Sequence, residues 1–141
     1  MAADLHALIR VKRHALEEKQ KFLAELYENL DAQEQEKATL LRQRDEEVEK
    51  AKDMGVDMLT YLSPYLEGVK EKVAIIDAVI SALDKRIESA REDMREVFAE
   101  VKKLEITQEK RETEEQAAQD KKQSDELDEI AIDGFRRGQE D

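Results

Sequence analysis

The 141-residue chain has no cysteine and no tryptophan, a single proline and four glycines. Lacking cysteine, it can form no disulfide, no thiolate metal site and no cysteine nucleophile, which fits a reducing compartment. Aromatic residues are only 4% of the chain, too few for an ordinary globular core. The four glycines are scattered and build no phosphate-cradling loop. No stretch approaches the roughly 20 apolar residues of a membrane span. The opening Met-Ala-Ala-Asp-Leu-His carries no apolar signal region, so a soluble, cytoplasmic protein is expected. A net charge of −12 argues against nucleic acid as a main partner, because phosphate binding needs a basic face.

Charge and spacing are what the chain has in abundance: 43% of residues are Asp, Glu, Lys or Arg. Among them fourteen apolar residues recur in an unbroken 3-4 alternation: Leu59, Leu62, Leu66, Val69, Val73, Ile76, Ile80, Leu83, Ile87, Ala90, Met94, Val97, Val101 and Leu104. A 3.5-residue repeat drifts around a straight helix, so it stays on one face only if the helix supercoils about a partner. The expectation is an all-α protein: two long helices in an antiparallel coiled-coil hairpin with an overhanging charged C-terminal arm.

Three segments follow, all within one elongated coiled-coil domain. Helix one is expected over about 4–54. Its seam is poorer, because Lys12, Lys19, Gln33, Lys37, Arg44 and Glu47 interrupt the apolar positions. Gly55 suits the left-handed residue that closes a helix. Ser63-Pro64 reads as an N-cap followed by proline in the first turn, which puts a connection at about 55–63. Helix two then runs over about 64–123, with a flexible tail to 141 loosened by Gly134 and Gly138. Pairing residue i with 120 − i sets Leu30 against Ala90, Leu23 against Val97 and Leu16 against Leu104. A register one heptad tighter, with Leu30 against Leu83, also matches seam to seam but buries Pro64 inside a helix, so the first is preferred. In either, residues from about 116 onward project alone. Residues 1–22 carry five bases against three acids, and residues 105–141 thirteen acids against six bases. These are either ordinary solvated faces or a charge pairing that favours one antiparallel register.

No catalytic constellation is present, so no enzyme, cofactor or metal is expected. His6 and His14 lie eight residues apart without further ligands. The many carboxylate pairs are what a solvated helix carries anyway. A second apolar row does ask for an explanation: Met58, Tyr61, Tyr65, Gly68, Ile75, Val79 and Ala82, broken by Lys72, with Tyr27, Leu41 and Val48 on helix one at similar height. It either widens the contact inside the hairpin or forms a docking surface near the bend.

Both ends of the sequence resemble a known family. Leu8-Ile9-Arg10-Val11-Lys12-Arg13, followed by Leu16-Glu17-Glu18-Lys19-Gln20, is similar to the opening of the FliJ-family flagellar export proteins, and Glu126-Leu127-Asp128-Glu129-Ile130-Ala131 is similar to their late acidic-apolar element. The resemblance implies a stalk component of the type III export apparatus, peripherally associated with it at the inner membrane. As a FliJ-like stalk it would promote assembly of the export ATPase hexamer and connect it to the export-gate membrane protein and to export chaperones. Carried over by position, Arg10, Lys12, Arg13, Leu127 and Ile130 would belong to the ATPase end, and Tyr61, Tyr65, Ile75 and Val79 to the gate end. A structural coiled-coil adaptor that self-associates is the competing reading.

Overall fold

The computed structural model describes residues 4–140, with backbone only for Val56 and Glu140. Met1, Ala2, Ala3 and Asp141, on which the reading of the opening and of the last tail residue partly rests, lie outside the described residues. The chain forms two helices, α1 (His6–Met54) and α2 (Val56–Glu140), with no strand among the described residues. The architecture is the expected all-α hairpin of two long helices.

Helix α1 starts where the Asp4 carboxylate accepts the His6 backbone N–H at 2.9 Å, satisfying one of the orphan donors of a first turn. It stops at Gly55, whose φ of +112° lies in the left-handed region that a Cβ disfavours. The chain re-enters a helix at once, the Met58 N–H reaching the Gly55 carbonyl at 3.3 Å. The connection is thus one residue long, and the expected 55–63 linker is corrected: Pro64 sits inside α2. Proline removes one backbone donor and crowds the preceding turn. Pro64 and Thr60, whose carbonyl loses its partner, are both exposed, so water can take that bond. In return the helical pairing extends to Ala51, which is buried, and to Leu62, which is half-buried.

Packing divides the chain into two units, Ala15–Glu96 and a terminal unit of Met1–His14 with Val97–Asp141. In the first, every α2 seam residue from Leu62 to Met94 is buried or half-buried, and only Leu59 beside the bend is exposed. Leu26, Leu83, Ile87 and Ala90 form the core, with Leu23 and Leu30 packed on it. These contacts, and the 2.7 Å ion pair of Lys37 with Asp77, place residue i of α1 level with residue 113 − i of α2. The tighter register is therefore the one adopted. The preferred 120 − i alignment fails because it relied on ending α2 at Pro64, which the helix passes through.

Polar seam residues do not break this unit. Lys37 keeps its stem between the helices while its ammonium reaches Asp77 at the edge, so the charge stays solvated. Gln33, Arg44 and Glu47 are likewise half-buried, at the positions the 3-4 alternation assigns them.

In the terminal unit, Ile9 and Val101 are buried and Leu5, Val97 and Leu104 are at most half-exposed. Here too the Leu5–Gln108 and Lys12–Glu100 contacts follow 113 − i to within one residue. From Glu112 to Gln139 every residue is exposed. The expected flexible tail is instead helix continuing to Glu140. The Glu, Lys, Gln, Arg and Ala that fill the arm are strong helix formers, and Gln116–Asp120 adds an i,i+4 hydrogen bond of 2.9 Å.

Two outcomes check this fold. A Leu30→Cys, Leu83→Cys variant should form a disulfide within one chain, whereas Leu30→Cys with Ala90→Cys should do so much more slowly; the reverse order would restore the 120 − i register. Gly55→Ala, although its Cβ meets open space, should destabilise the hairpin by about 1–2 kcal/mol in denaturant unfolding because of its left-handed φ.

Candidate partner-binding site

The terminal unit is held by a ladder of polar contacts between α1 and α2. The Lys12 ammonium lies 2.8 Å from Glu100, and the Arg13 guanidinium donates to Glu105 at 3.1 Å. Gln108, only 8% exposed at a seam position, accepts the Leu5 backbone N–H at 2.9 Å through its side-chain oxygen. Its amide donates in turn to Glu112 at 3.0 Å, and Glu112 also lies 2.8 Å from His6 Nε2. One side chain of α2 thereby satisfies an orphan donor at the start of α1, a cap supplied from the opposite helix. The ladder as a whole favours one alignment of the two helices.

Two of these carboxylates are tuned. Arg13, by hydrogen bond first and then by charge alongside Lys102, holds Glu105 below the ordinary glutamate range. The Gln108 amide, then His6, does the same for Glu112. Both glutamates bind protons less readily in the folded chain, so their stabilisation is complete above the unfolded pKa of about 4.3 and is lost as the pH falls through the lower folded values.

The sequence-derived site residues distribute unevenly. Lys12 and Arg13 are engaged within the hairpin, and Arg10 is exposed without an ion pair to a described residue. Leu127 and Ile130 are each 66% exposed on the single-helix arm. By the 113 − i relation Arg10 is level with Lys103, and Leu127 lies 24 residues further along α2, about 36 Å at 1.5 Å per residue, so the basic cluster and the late apolar element are not brought together. On the arm Leu127, Ile130, Ala131 and Gly134 share one helical face by their i, i+3, i+4, i+7 spacing, with Phe135 at its edge.

In the Ala15–Glu96 unit, Tyr61 is 79% and Ile75 65% exposed, and Tyr65 and Val79 are exposed as well. The row is largely surface: Tyr61 and Ile75 stand fully out, while Tyr65 and Val79, each 39% exposed, and half-buried Gly68 also flank the hairpin contact. The expectation that Leu41 joins it is corrected. Leu41 lines a groove of about 340 Å³ with Leu66, Val69 and Val73, rimmed by Arg44, Glu67 and Lys70. Leu41 follows a seam residue, whereas Tyr61, Tyr65, Ile75 and Val79 each precede one. In an antiparallel pair these two positions open onto opposite sides of the seam.

Sequence reasoning missed Gln108 and Glu112 as a linking pair. The available signal was that Gln108 takes the next seam position after Leu104, where a polar side chain needs a partner. Among the described residues no cluster of three or more His, Asp or Glu could hold a metal ion, and no helix is long and apolar enough to cross a membrane.

Acidification should loosen the terminal unit first. At pH 3, amides of residues 5–13 should exchange much faster relative to those of residues 76–90 than at pH 7; an unchanged ratio would show that Glu105 and Glu112 contribute nothing.

Comparison with curated proteins and with solved structures gives no match. A family model described as Flagellar FliJ protein matches residues 1–140, nearly the whole chain, in agreement with the motifs at both ends and with the two-helix architecture. The chain belongs to the FliJ family, a non-catalytic component of the flagellar type III protein export apparatus.

Proposed function

We propose that this chain acts as the stalk of the export ATPase, binding the hexamer through its terminal unit and favouring ring assembly. The observation that carries the reading is the arm from Glu112 to Gln139, a single helix exposed on all sides with one apolar face bounded by mixed charge. A helix with no intramolecular partner gains little from propensity alone, and packing against a partner would stabilise it. A stalk inside a ring of six identical subunits cannot fit all of them at once, so weak, exchangeable contacts suit the task. Exposed charge pairs of about 0–1 kcal/mol each meet that description. Acting together on an assembly equilibrium they can still shift it, because whatever binds only the ring favours the ring.

In this reading Leu127, Ile130 and the unengaged Arg10 contact the ATPase. Lys12 and Arg13 act mainly by holding α1 against Glu100 and Glu105. The exposed row of Tyr61, Tyr65, Ile75 and Val79 is the docking surface for the export-gate membrane protein, and export chaperones bind the same apparatus-associated chain. The working location is cytoplasmic, peripheral to the inner membrane.

Truncation before Leu127, or Leu127→Glu with Ile130→Glu, should leave helicity and melting of the hairpin nearly unchanged. Either should lower stimulation of the cognate ATPase and its hexamer formation several-fold, and Arg10→Glu should add a loss that shrinks at high salt. If both arm variants stimulate the ATPase like the parent, the arm is not the ring-binding element and the stalk reading fails.

A further inference from the structure

The exposed row on α2 is self-complementary. Its members sit at 3-4 spacing one residue before each seam position, so they form a second stripe along the helix, exposed at every member but half-buried Gly68. A helix stripe of this kind can pair with a copy of itself only if its side chains fit one another when one copy is turned end to end. Setting residue i opposite residue 140 − i of a second copy does this throughout. Tyr65 meets Ile75, Tyr61 meets Val79, and Gly68 meets Lys72. The single charge of the stripe then faces its single gap, where the lysine stem can lie over bare backbone. Shifting by one heptad either way loses the match, setting Lys72 against Ile75 or against Tyr61.

The α1 residues beside the stripe follow the same symmetry. By the 113 − i relation Lys50 is level with Ser63 and Glu36 with Asp77, and the two-fold brings Lys50 of one copy to the height of Glu36 of the other. Gln43 comes level with its own copy. Opposite charges at the rim, with a neutral pair at the centre, select the antiparallel arrangement. The seam inside the hairpin already treats a lysine in this way at Lys37, whose stem lies between helices and whose ammonium leaves at the edge.

We propose that two copies of this chain pair antiparallel through this stripe of α2, about a two-fold axis level with residue 70, into a weak, reversible dimer. A single helix-on-helix stripe is at or below the low end of stable interfaces, so the association is transient. The pairing rests on the geometry of the stripe and not on the stalk reading. If that reading also holds, the dimer covers Tyr61, Tyr65, Ile75 and Val79, so self-pairing and gate docking exclude each other.

Gly68 gives a clean test, because a Cβ there meets open space in the single chain and should not disturb the hairpin. Sedimentation equilibrium from micromolar to millimolar concentration should show a monomer–dimer equilibrium for the parent chain. Gly68→Leu should weaken it about tenfold or more, the loss expected of a central interface position, with helicity kept or raised. The absence of native cysteine permits a second reading of the register. Tyr65→Cys with Ile75→Cys should oxidise to a covalent dimer, since residues ten apart on one helix lie about 15 Å apart and cannot bridge within a chain. Tyr65→Cys with Ala82→Cys, matched to a shifted register, should not. A chain monomeric throughout, a dimer indifferent to Gly68→Leu, or a preference for the shifted cysteine pair would each overturn the proposal, and none of these measurements involves the ATPase or the gate.

Discussion

The 3.5-residue apolar repeat of α2, matched against a partly polar seam on α1, is the constraint on which the other features depend. Leucine, isoleucine and valine supply the burial, and neither helix alone could remove its stripe from water. Such a repeat tolerates displacement by a whole heptad, because seam still meets seam. The alignment must therefore be chosen by something less regular than the repeat itself. In the Ala15–Glu96 unit, Leu23 and Leu30 pack on the Leu83, Ile87 and Ala90 layer, and Lys37 finds Asp77. In the terminal unit Gln108 receives the Leu5 N–H and Lys12 finds Glu100. These directional contacts add little net energy each, but a misaligned chain would leave buried polar groups without partners.

The two units are stabilised differently. Residues 15–96 are held mainly by apolar burial, which neither titrates nor is screened as ion pairs are. The terminal unit adds a polar ladder of Lys12, Arg13, Gln108 and Glu112, whose strength follows the protonation of Glu105 and Glu112 and the screening of the medium. Beyond the ladder α2 has no intramolecular partner among the described residues. A sequence that switches from seam to solvated helix within a few residues is consistent with a component of the flagellar export apparatus.

The seam was legible in the sequence because burial follows its period: from Leu62 to Leu104 each residue of the 3-4 alternation is buried or half-buried, and Gly68 is the one other residue in that span that is not exposed. The bend was legible at Gly55 and misread beyond it. Ser63-Pro64 is a strong local start signal, but the added pairing around Ala51 and Leu62 outweighed one missing backbone bond on the exposed flank. The register could not be read because heptad repeats are degenerate, and its markers, Gln108 above all, look like ordinary polar residues until an opposite helix is present. Lys12 is marked in the sequence by its seam position, but Arg10 and Arg13 look equivalent there, yet Arg13 is engaged by α2 and Arg10 makes no ion pair to a described residue. The side of the seam on which Leu41 lies follows from counting positions before and after seam residues, a distinction that height along the hairpin does not make.

The central claim is that pairing ends near Glu112 and leaves the following helix to a partner. Hydrogen exchange on the chain alone and with the cognate export ATPase tests it most directly. Alone, amides of residues 113–139 should exchange orders of magnitude faster than those of residues 76–90, because every side chain there is exposed and no described residue packs on them. With the ATPase, protection should appear in 113–139, strongest around Leu127 to Ala131, while the seam is unchanged. Strong protection of 113–139 in the chain alone, or none gained with the ATPase, would contradict the account.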